Sequence, residues 1–227
     1  MVRTLNPAAH ALKRDAFVDA AQRLIVTRGY EHLSIQDVLH ELGASKGAFY
    51  HYFDSKGALL AAVVQSTVDA ATETVQPIAA DPQLSAVQKF EGIFSGIAQW
   101  KGERTELMLE LLRVWFSDDN TVVREGLRRA VTERLTPLLH DILRQGVAEG
   151  AFSVSSPEGA TSVVLALILG LNETASRLFL ARQANAVSFE DVERTIVAFG
   201  EAYERVLGLS PGSLSLGDAA AVRRWYG

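Results

Sequence analysis

The chain reads as an all-α protein in two parts, an N-terminal three-helix head carrying a helix-turn-helix and a larger C-terminal helical body. Three observations predict this. Apolar residues recur at helical spacing along the sequence, with no convincing alternation of the kind that makes a strand. Helix starts are marked by Ser, Asp and Pro, and several stops by Gly. Residues 34–56, SIQDVLHELGASKGAFYHYFDSK, spell two short helices joined by a tight turn.

In chain order, residues 1–10 are an N-terminal arm. Arg3 there either reaches a phosphate or minor groove, or sits in a disordered terminus. Helix one runs from about Ala11 to Arg28, with Phe17, Ala20, Ala21, Leu24 and Ile25 on one stripe and Gly29 as its stop. Tyr30 packs with the head, and Glu31-His32-Leu33 is a short linker. Ser34 and Asp37 form a near capping box for helix two, whose Ile35, Val38, Leu39 and Leu42 repeat at i, i+3, i+4 and i+7. Gly43 ends it, and Ser45 caps helix three, roughly 45–52.

Helix three has two unlike faces. Phe49, Tyr52 and Phe53 fall where they bury against helix two, while Lys46, Gly47, Tyr50 and His51 fall on the opposite side. A helix pinned by aromatics and presenting donors suits a DNA major groove, with Gly47 allowing close backbone approach. Ser34, Gly43, Ala44, Ser45, Lys46, Gly47, Tyr50, Tyr52, Phe53, Lys56 and Leu59 follow the pattern of the tetracycline-repressor (TetR) family. The sequence resembles that family over roughly residues 11–64; beyond them only the helical layout is similar. Leu39 departs from the family's usual Ala, a change beneath the motif rather than on its DNA face. The candidate DNA-contacting residues are Ser34, Gln36, Ser45, Lys46, Gly47, Tyr50, His51 and Lys56.

Asp54 or Ser55 caps helix four, with Lys56 in its first turn. A cation there opposes the helix dipole unless a phosphate sits at the same helix start, which makes Lys56 a candidate backbone contact. Leu59, Leu60, Val63, Val64 and Val68 carry the stripe toward Pro77. Val87, Phe90, Phe94 and Ile97 mark helix five, and Leu107 to Phe116 mark helix six. Gly92-x-x-x-Gly96 reads as close helix packing. Helix seven runs from Thr121 to about Glu149, kinked or divided at Pro137. Ser156-Pro157-Glu158 opens helix eight, apolar nearly all round from Val163 to Leu171 and so covered on more than one side. The last helix, capped by Ser188 and Asp191, repeats Val192, Ile196, Phe199, Tyr203 and Val206 at heptad-like spacing, a seam for a partner helix. Residues 209–218, LSPGSLSLGD, read as a flexible connector, and the terminal AAAVRRWYG as a short helix anchored by Trp225.

Composition sets the outer limits. The 227 residues are 48% hydrophobic and 22% charged, an ordinary globular mix. With no cysteine there is neither a disulfide nor a thiolate metal site. No signal-like apolar segment opens the chain, and the longest apolar run, Val163 to Leu169, is far short of a membrane span, so a cytoplasmic, membrane-free location is expected. The net charge of −5 divides unevenly. Residues 1–60 carry seven Lys/Arg against six Asp/Glu and the remainder fifteen against twenty-one, so the acidic body bears a less acidic head.

The histidines show no metal-ligand spacing and no nucleophile–base pattern, so neither catalysis nor a cofactor is expected. In the body, Phe90, Phe94, Trp100, Met108, Leu112, Trp115 and Phe116 offer an apolar lining between helices, with Asn172 as a polar group among them. Asn172, Glu173 and Arg113 either orient a ligand or satisfy one another and the interior. The expected dimer seam is Leu165, Ile168, Val192, Ile196, Phe199 and Tyr203. Residues 1–56 are assigned to the head, 57–207 to an effector-binding and dimerisation body, and 208–227 to a tail. The resemblance implies a transcriptional regulator, most often a repressor. It would bind a pseudo-palindromic DNA operator as a homodimer and be released by a small, largely apolar effector. From another class, a helical small-molecule-binding or scaffold protein with a vestigial helix-turn-helix is the alternative.

Overall fold

The computed structural model describes residues 7–115, 121–216, 222, 223 and 226. Among these there are nine helices and no strand: α1 Pro7–Arg28, α2 Ile35–Leu42, α3 Lys46–Tyr50, α4 Lys56–Ala80, α5 Ala86–Gly102, α6 Thr105–Trp115, α7 Thr121–Ala148, α8 Pro157–Gln183 and α9 Phe189–Leu207. Phe116, Arg3 and Trp225 lie outside the described residues. The chain divides into two compact units, Met1–Val68 with Arg104–Arg129, and Asp69–Glu103 with Ala130–Gly227.

The first unit closes around aromatic rings. Phe17 of α1 meets Phe49 edge-on at 5.8 Å between ring centroids and Phe53 at 6.2 Å, and Phe49 lies 5.7 Å from Phe53. Ile25, Val38, Leu59 and Leu60 are buried around them. Val114 of α6 joins this core, with Leu107, Leu111 and Leu127 packed at its edge. The surface of the unit is tied by Arg28 to Asp37 at 2.8 Å and Arg23 to Glu41 at 2.7 Å. Such exposed pairs contribute little each, on the order of 0–1 kcal/mol.

In the second unit, small residues set the spacing. A Cβ at Gly92 would come within 2.6 Å of Ile78, and one at Gly96 within 2.7 Å of Val75, so this Gly-x-x-x-Gly lets α5 lie directly on α4. α8 and α9 pack along one another. α7 runs through Pro137 as one helix rather than two.

α8 is long and apolar enough to cross a membrane by length and composition, which a search for an unbroken apolar run misses because Thr, Ala and Gly interrupt it. Only 22% of its most apolar window is buried within the chain. Covering on more than one side, expected from the sequence, is therefore not supplied within one protomer.

Residues 209–216 are not a free connector. The Glu204 carboxylate, buried on α9, accepts the Leu214 amide at 3.0 Å, and amides of Leu214, Gly212 and Ser213 hold its pKa below the usual carboxylate range. Ser215 N–H donates to Glu91 at 2.7 Å. Further on, the Tyr226 hydroxyl donates to the Ala175 carbonyl at 3.0 Å, and burial pushes its pKa up to about 12. Tyr226 thus fastens this stretch to α8; Trp225, the anchor expected from the sequence, lies outside the described residues.

Tyr203 is fully buried against Phe90 and Phe94, with ring centroids 5.7 and 5.2 Å away. Its hydroxyl has no hydrogen-bond partner among the described residues. An unsatisfied buried hydroxyl costs roughly 1–3 kcal/mol. Tyr203→Phe is accordingly expected to stabilise the free protein by about 1 kcal/mol in urea unfolding; a variant less stable than the parent would show that the hydroxyl has a partner.

Candidate nucleic-acid interface

The site is built on two caps and one buried ring. Ser34 accepts the Asp37 amide at 3.2 Å while Asp37 accepts the Ser34 amide at 2.9 Å, the full capping box that starts α2. Gly43 ends α2 at φ 58°, a left-handed conformation that glycine adopts without penalty. Ser45 accepts the Ala48 amide at 3.2 Å and starts α3. Phe49 then locks α3 to the core, fully buried, and the opposite face of this short helix points to solvent.

That face carries what the sequence led one to expect. Lys46, Gly47, Tyr50 and His51 are all exposed, Tyr50 at 47% despite its size. Ser34, Gln36, Lys46, Tyr50 and Lys56 line one open depression of about 390 Å3 with Leu33, Ile35 and Leu39 as its floor. Ser45 is spent on its cap, and Gly47 and His51 stand outside the depression.

Ser55, not Asp54, caps α4, accepting the Ala58 amide at 3.0 Å. Lys56 holds its ammonium 4.1 Å from the centre of the Tyr30 ring, a cation–π contact that fixes it at the start of α4. Burial lowers its pKa, and Glu31 opposes that shift. The Lys46 ammonium lies 5.9 Å from the Tyr50 ring.

Two residues of this surface were not singled out as site residues from the sequence. His10, near the start of α1, sits 5.3 Å from the His51 ring and 4.6 Å from Tyr52. Nothing in local periodicity brings position 10 to position 51; only the closure of the three-helix head does. Tyr30 was placed in the packing, but its role as a seat for Lys56 needed the geometry.

The expected pocket residues are divided between the units. Phe90, Phe94, Trp100 and Asn172 belong to the second, where Phe90 and Trp100 are buried and Asn172 accepts a hydrogen bond from Lys101 at 2.9 Å. Met108, Leu112 and Trp115 belong to the first and are half-buried. Arg113 pairs with Glu110 and Glu173 with Arg177, so both are engaged within their own helices.

The expected dimer seam is corrected at two positions. Val192 and Tyr203 have no exposed surface within one protomer, because the inward stripe of α9 is already filled by α5 and α8. Leu165 and Ile168 are nearly buried as well; Ile196 and Phe199 remain half-exposed. The open apolar side chains of these helices are Val163 at 48% and Val197 at 59% exposure. Among the described residues no group of His, Asp or Glu could hold a metal ion.

Comparison with known proteins bears on the head first. Residues 17–63 match the sequence model of the bacterial regulatory proteins, tetR family. An uncharacterised HTH-type transcriptional regulator of Lactococcus lactis is 40% identical over 55 residues, 24% of this chain and 28% of that protein. The relatives at 39–42% identity are matched over only 20–28% of their own length. The HTH-type transcriptional repressor KstR2 of Mycolicibacterium smegmatis is 23% identical over 148 residues, 65% of this chain and 71% of that one. Among solved structures, RolR in complex with resorcinol superimposes with a TM-score of 0.64 over 96% of this chain and 95% of its own, at 15% identity, a likeness of fold.

The capping box gives a pH test. Hydrogen bonds from Ser34 and the neighbouring Arg28 hold the Asp37 pKa below the usual carboxylate range. A carboxyl group with a depressed folded pKa adds stability above its unfolded pKa, and that stability is lost as pH falls through the folded value. Asp37→Ala should therefore lower the melting temperature by a constant amount above about pH 5, with the gap to the parent narrowing below about pH 4. A gap that stays constant down to pH 2 would mean that the ionised cap contributes nothing.

Proposed function

We propose that this chain, whose residues 17–63 match the tetR family of bacterial regulatory proteins, is a transcriptional regulator of the repressor type that binds operator DNA as a homodimer and lets go on binding a small molecule. One observation carries the DNA-binding reading. Ser34, Gln36, Lys46, Tyr50 and Lys56 converge on one depression beside an α3 whose aromatic side is entirely committed to the core. Such a surface offers two cations and several donors to a duplex. Lys56 at the start of α4, steadied by Tyr30, serves as a phosphate anchor; Lys46, Tyr50 and His51 reach phosphates or base edges.

The test is binding to the DNA upstream of the protein's own gene, followed by fluorescence anisotropy at several salt concentrations. Lys56→Ala should weaken binding to all sequences and flatten the log–log salt slope by about one unit. Lys46→Ala separates two roles, since a loss confined to one operator position means a base contact and a uniform loss means a phosphate contact. If the parent shows no salt-dependent binding to any duplex, the protein is instead a helical ligand-binding protein with an unused motif.

Dimerisation through the outer faces of α8 and α9 is supported by the unburied apolar surface of α8 and by Val163 and Val197. The seam is then Val163, Ala166, Val197 and Ala198, with Ile196 and Phe199 at its margin, rather than the inward Val192 and Tyr203. A charge there would be desolvated without a partner, so Val197→Asp should yield monomer at micromolar concentration in analytical ultracentrifugation while leaving helicity intact. A dimer that survives the substitution would move the interface elsewhere.

Two heads about 34–36 Å apart fit successive major grooves on one face of DNA, and a change in that spacing releases them. A coupling of ~1–3 kcal/mol between effector and operator corresponds to a change of roughly 5–150-fold. The apolar interior of the second unit is the proposed effector region, and the likeness of fold to RolR, crystallised with the small aromatic resorcinol, supports a ligand of that size. Its place of work is the cytoplasm, where the operator is.

A further inference from the structure

The second unit contains two polar groups that its own residues leave incomplete. Among the described residues the other buried polar side chains there are matched, and Lys101 itself is half-buried. Lys89 donates to Gln145 at 2.8 Å with Glu149 nearby, Glu204 is held by backbone amides, and Thr161 donates to the Pro157 carbonyl at 2.7 Å. Lys101 and Tyr203 differ. The Lys101 ammonium, on α5, has one hydrogen-bond partner, Asn172 on α8, and no carboxylate faces it among the described residues. An ammonium has three donors, so two remain for another acceptor. The Tyr203 hydroxyl on α9 has none.

Both groups belong to one side of α5. Phe90, Phe94, Ile97 and Lys101 repeat at i, i+4, i+7 and i+11, a single helical stripe. Phe90 and Phe94 on that stripe meet the Tyr203 ring, and Lys101 at its end meets Asn172. On α8, Thr161, Leu165, Ile168 and Phe179 are buried on one stripe, and the half-buried Asn172 falls in line with them. The inward faces of the two helices carry few polar groups: Lys89 and Thr161, each with its partner, and the pair Lys101 and Asn172. Part of the Lys101 side chain stays accessible, so the position opens to solutes at the edge of the interior.

A cation in such surroundings is short of an anion. We infer that Lys101, with Asn172 beside it, is the anchor for the carboxylate of a small amphipathic organic acid whose apolar part lies along Phe94 toward Tyr203. The carboxylate takes the two free ammonium donors and, lying against Asn172, also accepts from its amide. Phe94 is seven residues from Lys101, about 10 Å along the helix, which suits an acid of aryl-propenoate or medium-chain size. The Tyr203 hydroxyl donates to an acceptor at the far end where the acid carries one. Burial holds the Lys101 pKa below the ordinary lysine value, as expected of an ammonium without a counter-ion, and a bound carboxylate would restore it. This rests on the reading of the second unit as the effector domain, and it narrows the effector from apolar to acidic.

The experiment uses the full chain and no DNA, so that operator binding and acid binding fail independently. 4-Hydroxycinnamate, phenylacetate and octanoate are each titrated against their neutral primary amides at pH 7, read by calorimetry and by the emission of Trp100, the neighbour of Lys101. At least one acid should bind ten-fold or more tightly than its amide. Lys101→Met should erase that preference and bring acid and amide within two-fold, and Asn172→Leu should weaken the acid alone. For the acid with the hydroxyl, Tyr203→Phe should weaken binding several-fold while octanoate is unaffected. The inference is overturned if none of the three acids binds the parent, if acids and amides bind alike, or if Lys101→Met, still helical and folded, keeps the preference. Acid binding that survives with no operator binding would retain this site and sink the regulator reading instead.

Discussion

The burial of Phe49 is the constraint on which the exposed surface of α3 depends. α3 is five residues long, far too short to persist as an isolated helix, since nucleation is unfavourable and little propagation follows. Its conformation is maintained by tertiary contact, with Phe49 between Phe17 and Phe53, and by the Ser45 cap. Aromatic pairs of this kind add about 0.5–1.5 kcal/mol each beyond area burial. Once Phe49 is fixed, helical geometry alone sends Lys46, Tyr50 and the backbone of Gly47 outward. What this face presents is therefore set from behind, by residues buried in the core.

A different principle governs the second unit, where omission of side chains matters as much as their presence. Gly92 and Gly96 bring α5 against Ile78 and Val75 of α4. Close backbone approach of this sort increases dispersion contact but leaves no slack for a polar group that lacks a partner. Tyr203 and Lys101 stand out against that background because nearly every other polar group in the interior is answered.

Local signals carried most of the fold. The capping boxes at Ser34 and Ser188, the stops at Gly29, Gly43 and Gly208, and the Pro157 start are each decided within a few residues, and the helices begin and end at them. The exposure of Lys46, Gly47, Tyr50 and His51 was legible for the same reason, since helical spacing within one short segment sets it. What escaped depended on distant partners. α6 looked like part of the body, yet Val114 completes the core of the head. The repeat in α9 reads equally as a seam for a second subunit or as an inward stripe, because periodicity records that a face is covered and not by what. Tyr203 and Val192 proved to be covered from within. His10 beside His51, and Lys101 beside Asn172, join positions 41 and 71 residues apart that no window of sequence could connect.

The carboxylate of Glu204 gives the last residues of the chain an importance that their composition hides. Turn-rich and polar, residues 209–216 look dispensable, and a gene truncated just after α9 would look like one that had lost a linker. Yet the amides of Gly212, Ser213 and Leu214 are what that buried charge is solvated by. Without them the carboxylate loses its amide donors, and the tie from Ser215 to Glu91 on α5 goes with them. A premature stop in this stretch would thus register in the cell as a misfolded or degraded protein, with the phenotype of a null allele although every helix through α9 is encoded.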